Sequence, residues 1–129
     1  MFFDINNINH AYLVVSKNTE YAYSQVKEFI EQILESKDLQ NNVDYRLIES
    51  EDGKSIKINQ IRDMQSDVAI KPIKGDRKIY VIIDADKMNE QAQNCILKTL
   101  EEPPLYTSIF LITAFPEKLI DTVNSRVKR

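Results

Sequence analysis

Two short apolar runs end in residues able to handle a phosphate or a metal ion: run 79–83 is followed by Asp84, and run 109–112 by Thr113. A strand that gives way to aspartate fixes a carboxylate where hydrated magnesium and a nucleotide can be held. In open parallel sheets ligands collect beyond the carboxyl ends of the strands, so Asp84 and Thr113 are expected side by side at one rim. Two chemistries fit such a rim. Nucleotide hydrolysis needs a glycine-rich loop where the first strand runs into a helix, yet the stretch YLVVSKNTEYAYSQVKEF (12–29), which has that strand-to-helix character, contains no glycine. A phosphoacceptor regulator of receiver type needs an acidic pair at the end of the first strand to hold magnesium, and Val15-Ser16 is not one.

The elements that must position these residues can be read from hydrophobic spacing. Runs 11–15, 45–48, 79–83 and 109–112 are short and mostly β-branched or aromatic, the pattern of strands buried on both faces. Between them, Ala22, Val26, Phe29, Ile30, Ile33 and Leu34 recur at helical spacing, as do Ile58, Ile61, Met64 and Val68, and then Met88, Ala92, Cys95, Ile96 and Leu100. Strands alternating with helices predict a three-layer α/β domain with a parallel sheet covered on both sides. Both glycines, Gly53 and Gly75, fall in polar loops, and Pro103-Pro104 stops the third helical pattern. A short helical pattern spans 117–123 with no closing strand after it, so the chain reads as a fragment of a longer protein.

Bulk properties set the frame. At 129 residues and 15.0 kDa the chain is the size of one domain. Its 43% hydrophobic and 29% charged content is that of a soluble globular protein, and no apolar run approaches the length of a membrane span. The opening MFFDINN lacks the basic start and apolar stretch of a secretory signal, which points to the cytoplasm. A net charge of −3 gives no global pull toward nucleic acid, so any DNA contact would be local. One cysteine, Cys95, excludes an internal disulfide or a multi-cysteine zinc cluster and reads as a small core residue.

The segment KIYVIIDADKMNEQAQNCILKTLEEPPLYTSIFLIT (78–113), together with the later NSR (124–126), resembles the clamp-loader AAA+ ATPase family of bacterial DNA polymerase III. HAYLVV (10–15) matches the family's first strand and INQIRDM (58–64) its helix before the aspartate strand, so the resemblance covers nearly the whole chain. It implies a three-layer P-loop NTPase-like (AAA+) core with a parallel sheet flanked by helices, truncated before the last strand and lid. Residues 1–129 would form one degenerate core domain, without the lid and the oligomerising collar. The family's extra helix before HAYL would also be missing, since nine residues precede His10.

Set against the family's phosphate loop, Ser16, Thr19, Tyr21, Ala22 and Tyr23 fall where glycines, a phosphate-binding lysine and a magnesium-ligating hydroxyl belong. Glycines are needed there because backbone N–H groups must wrap the phosphates at distances a side chain obstructs. Asp84 is followed by Ala85 where hydrolysing relatives carry glutamate, and Asp86 is one residue too far along to be equated with it. Thr113 occupies the family's γ-phosphate-sensing position and reads as vestigial. Ser125-Arg126-Val127 matches the family's Ser-Arg-Cys motif, whose arginine reaches a neighbour's ATP, so Ser125 and Arg126 are the expected trans arginine finger.

The resemblance thus implies a non-catalytic clamp-loader subunit, with no cofactor, metal or small-molecule substrate of its own. Its partners would be gamma/tau-like ATPase subunits and a delta subunit, with primed DNA and the sliding clamp met through the complex and no membrane involved. An active, gamma-like ATPase subunit and the receiver-type regulator stay open beside it. Glu101 and Glu102 read as a solvated helix end, His10 as a packing or hydrogen-bonded residue, and Lys87 as a solvated lysine set against a DNA contact.

Overall fold

In the computed structural model, which describes residues 3–128, the four apolar runs form one parallel sheet. Its strands are β1 (Ala11–Val15), β2 (Tyr45–Ile48), β3 (Lys78–Ile83) and β4 (Thr107–Thr113), in the order β1-β4-β3-β2. The two central strands are the most buried, as their double-sided cover requires. Both extend beyond the apolar runs. β3 begins at the buried Lys78, and β4 takes in the buried Thr107 and Ser108, polar residues that an apolar pattern cannot count.

Helices cover both faces. Side chains alternate along each strand, so Tyr12, Val14, Ile79, Val81, Phe110 and Ile112 face α1 (Thr19–Leu34). Leu13, Tyr80, Ile82, Ile109 and Leu111 face the opposite core, closed by α2 (Ile58–Val68), α3 (Glu90–Glu101) and α4 (Asp121–Arg126). Met88 is an exception to the third helical stripe. It lies before α3 in extended conformation, because Asn89 caps the helix by accepting the Ala92 amide at 2.9 Å. Met88 instead pairs with Ile56 in a one-residue parallel bridge and stays buried there.

The tail also departs from expectation. The helical pattern at 117–123 splits, since Pro116 opens a 3-10 turn that ends at an extended Leu119 before α4 begins. After α4 the chain does pair with the sheet. Lys128 lies beside Tyr12 in a parallel bridge, its carbonyl accepting the Leu13 amide at 2.7 Å and its amide donating to Ala11 at 3.0 Å. Lys128 thus meets the outer edge of β1 as a one-residue bridge.

A polar cluster ties α2 to the sheet. The Lys78 ammonium, 3% exposed, pairs with Asp67 Oδ2 at 3.1 Å and donates to the carbonyls of Asp67 and Ile70 at the end of α2. Tyr80 donates its phenolic proton to the same Oδ2 at 2.6 Å, and Arg46 lies 3.4 Å from Oδ1. Burial is thereby matched with partners, the condition under which a core lysine is tolerated.

Candidate functional site

The β1-to-α1 connection is three residues long, 16–18, and it closes on itself. Asn18 caps α1 by accepting the Tyr21 amide on its side chain at 3.0 Å, and its carbonyl takes the Ala22 amide at 3.0 Å. The Ser16 hydroxyl donates to the Asn18 carbonyl at 3.0 Å and accepts the Asn18 amide at 3.2 Å. Thr19, Tyr21, Ala22 and Tyr23 therefore lie inside a helix rather than in a loop. Ala22 is fully buried against the sheet, and Tyr21 is 59% exposed. Tyr23 and Tyr45 share a hydrogen bond of 2.6 Å between their hydroxyls, and burial followed by that bond pushes the Tyr45 phenol well above its ordinary pKa. Two of the amides that a phosphate loop would turn outward are already satisfied by the protein.

The rim next to this turn is assembled from β3 and β4. Val15 and Thr113 are register partners, as are Ile112 and Ile83, so Thr113 lies between Val15 and Asp84, as the sequence predicts. Asp84 turns the chain off the sheet with φ 54°, a left-handed conformation that aspartate tolerates better than most side chains. Its carboxylate is 3.9 Å from the Lys87 ammonium, which answers part of the Lys87 expectation with an ion pair. Ala85 is buried at the start of a 3-10 turn, Ala85–Lys87. The hydroxyl of Thr113 does not face Asp84: it donates to Asp86 Oδ1 at 2.6 Å and accepts the Phe115 amide at 3.0 Å.

Arg126 is placed elsewhere. α3 runs back from the rim, and its last residue precedes β4 by a short connection, so Glu101 lies at the amino-terminal end of the sheet. Arg126 meets it there, with Nη2 donating to Glu101 Oε1 at 3.2 Å and Nη1 to the Ser125 hydroxyl at 3.0 Å. Glu101 is thus an ion-pair partner rather than a merely solvated helix end. Ser125 and Arg126 are brought together with each other but not with Ser16, Asp84 or Thr113.

Other sequence candidates are accounted for by packing. His10 Nδ1 lies 2.9 Å from the Thr107 carbonyl, and the Cys95 thiol donates to Gln65 Oε1 at 3.2 Å at the edge of the core. Among the described residues no three His, Cys, Asp or Glu side chains form a group that could hold a metal ion. A cavity of about 730 Å³ runs along the free edge of β1, bounded by Tyr12, Val15, Ser16, Tyr21 and Lys128. The sequence reading set Asp86 aside, took Glu101 for a solvated helix end, and gave Gln93 no role. The buried Gln93 accepts the Ile120 amide at 2.7 Å and donates to the Met88 and Lys118 carbonyls. A glutamine next to the alanine of an apolar stripe was the available signal for the last.

The strand order separates this domain from receiver proteins, in which β1 lies between β2 and β3. A parallel sheet with helices on both faces, a strand-end aspartate at the rim and a strand-to-helix turn beside it define a three-layer α/β domain of the AAA+ type. A crystal structure of a DNA polymerase III gamma subunit-related protein from Thermotoga maritima superposes with a TM-score of 0.84 at 30% identity, covering 97% of this chain and 42% of that one. Residues 3–129 match the family model described as DNA polymerase III, delta subunit, and the chain belongs to that family.

Curated relatives agree. The delta' subunit of DNA polymerase III from Bacillus subtilis is 41% identical over 86 residues, 67% of this chain and 26% of the relative. The tau/gamma subunit from Haemophilus influenzae is 38% identical over 80 residues, 62% of this chain and 12% of the relative. The chain thus spans about a quarter or less of the length of these relatives. Among the described residues no helix is long and apolar enough to cross a membrane.

Proposed function

We propose that this domain serves a DNA polymerase III clamp loader as a subunit that does not itself hydrolyse ATP, and that it donates Arg126 to the nucleotide site of a neighbour. The observation that carries the reading is the self-capped start of α1. Where a phosphate loop would wrap its ligand, Asn18 has taken the Tyr21 amide and the position of the phosphate lysine is the buried Ala22. Likeness to tau/gamma subunits fits an ATPase equally well, and it is this turn that favours the non-catalytic role. Supporting it, the Thr113 hydroxyl is engaged by Asp86, and Ala85 offers no carboxylate to polarise water.

Arg126 suits the role in trans. It is 41% exposed and lies at the end of the sheet opposite its own rim, so it cannot complete its own site but can meet another chain's. A permanent planar cation placed on the γ-phosphate of a neighbour stabilises charge developing in the transition state and ties turnover to correct assembly. The partners on this reading are gamma/tau-like ATPase subunits and a delta subunit in the cytoplasm, with primed DNA and the sliding clamp engaged through the complex.

The test uses full-length protein reconstituted with its own ATPase and clamp-opening subunits. Arg126→Ala is expected to lower DNA-stimulated ATP turnover by about tenfold or more, in the direction expected for a removed arginine finger, with the complex still assembled. Unchanged turnover in an intact complex would remove Arg126 from the site.

A further inference from the structure

Glu101 occupies a position that helix stability does not explain. It is the last residue of α3, with Glu102 as the C-cap, so two carboxylates stand at the negative end of a helix dipole. Acidic residues are disfavoured there, and departures from local preference of this kind collect at functional sites. What faces Glu101 is Arg126, the residue given a function above on separate grounds.

The guanidinium is held from two sides. Ser125 Oγ donates its only proton to the Thr122 carbonyl at 2.9 Å, which leaves its lone pairs to accept Arg126 Nη1 at 3.0 Å. Glu101 Oε1 takes Nη2 at 3.2 Å. Two of the five N–H groups of the fork are thereby engaged, and the side chain stays 41% exposed. A long side chain has several staggered rotamers in solution, and two fixed acceptors on two helices restrict that choice before any ligand arrives.

We propose that Glu101 is a positioning residue for Arg126: with Ser125 it holds the guanidinium on the α3–α4 surface so that the remaining N–H groups are presented to the polyphosphate of an adjoining subunit. The proposal rests on the trans role of Arg126. The pair is exposed, so its influence is modest. Exposed pairs are weak, which also lets the arginine adjust when a more highly charged anion is offered.

The experiment uses the full-length protein in the reconstituted loader, with Arg126→Ala, Glu101→Gln, Glu101→Asp and the Glu101→Gln/Arg126→Ala pair compared at matched assembly. Glu101→Gln keeps the shape and removes the charge. It is expected to lower kcat by about two- to fivefold, the range an exposed ion pair spans, with the KM for ATP unchanged. Glu101→Asp should recover part of that loss, and Glu101→Gln should cost nothing further once Arg126 is alanine. Wild-type kcat in Glu101→Gln beside a crippled Arg126→Ala would overturn the positioning role alone. A fall of the same size in the Arg126→Ala background would also overturn it, because Glu101 would then act independently. An Arg126→Ala loader with full turnover would bring down the trans role and this inference together.

Discussion

The hydroxyl of Thr113 donates to Asp86 Oδ1 across 2.6 Å while accepting the Phe115 amide at 3.0 Å. The last residue of β4 is therefore spent on holding the two turns that leave the sheet, one after β3 and one after β4. Because the acceptor is a carboxylate, Thr113→Val should cost about 1.5–3 kcal/mol of stability, read as a lower urea midpoint at unchanged m-value. Asp86→Asn in the same background should add much less than it costs alone. Additive losses would show that the two side chains do not work as a pair.

Nucleotide should find no site in this domain. Titration of the protein with magnesium and a fluorescent ATP analogue is expected to give no saturable signal up to millimolar ligand. Restoring the missing lysine should not help: Ala22→Lys places an ammonium in a fully buried position on the α1 face of the sheet and should unfold the domain rather than confer binding. Saturable binding by the unaltered chain would overturn the proposal that the self-capped turn leaves no phosphate site.

Lys78→Met tests the cluster beneath α2. Methionine keeps most of the volume but leaves Asp67 with Tyr80 and the more distant Arg46 as its partners. Removing one partner of a buried pair costs about 3–5 kcal/mol. Since the Asp67 side chain is 16% exposed, the lower end of that range is expected in denaturant unfolding.

The same cluster sets a pH dependence. Burial pushes the Asp67 carboxyl up, but the hydrogen bonds from Tyr80 and Lys78 and the charges of Lys78 and Arg46 outweigh it, leaving the group below its ordinary value of 3.8. A folded-state value below the unfolded one gives stability that is fully present above about pH 4–5 and lost as the pH falls through the folded value. Thermal melts between pH 3 and 5 should show this acid limb, shallower in Asp67→Asn. Tyr80 runs the other way: burial and then the bond to Asp67 raise its phenol, so its contribution is present below pH 10 and lost at higher pH.

Much of the fold was legible because parallel strands covered on both faces are continuous apolar runs. Residues 11–15 and 45–48 appear in the structure with unchanged limits, and the stripe from Ile58 to Val68 is α2. The misses have common physical causes. Ser108 and Lys78 are buried polar residues whose burial depends on partners outside their own strands, Asn9 for Ser108 and Asp67 for Lys78, and Thr107 is buried beside them with no partner for its hydroxyl among the described residues. Met88 has the spacing of a helix but is excluded from one by a cap one residue later. At the rim, the turn without glycine was evident, but the switch of Thr113 from Asp84 to Asp86 depends on the left-handed turn at Asp84, which no spacing rule foresees. Glu101 and Arg126 are 25 residues apart and meet only because α3 and α4 pack together.

The bridge between Lys128 and β1 works as a ruler. Backbone pairing advances in whole residues, and a slip of one reverses which side of the strand every side chain occupies. Arg126 is two residues before that bridge, so its height and bearing relative to the sheet are indexed by the bonds of Lys128 to Ala11 and Leu13, rather than by contacts of α4 alone. Whatever rotates or translates the sheet as a body therefore carries the backbone of Arg126 with it.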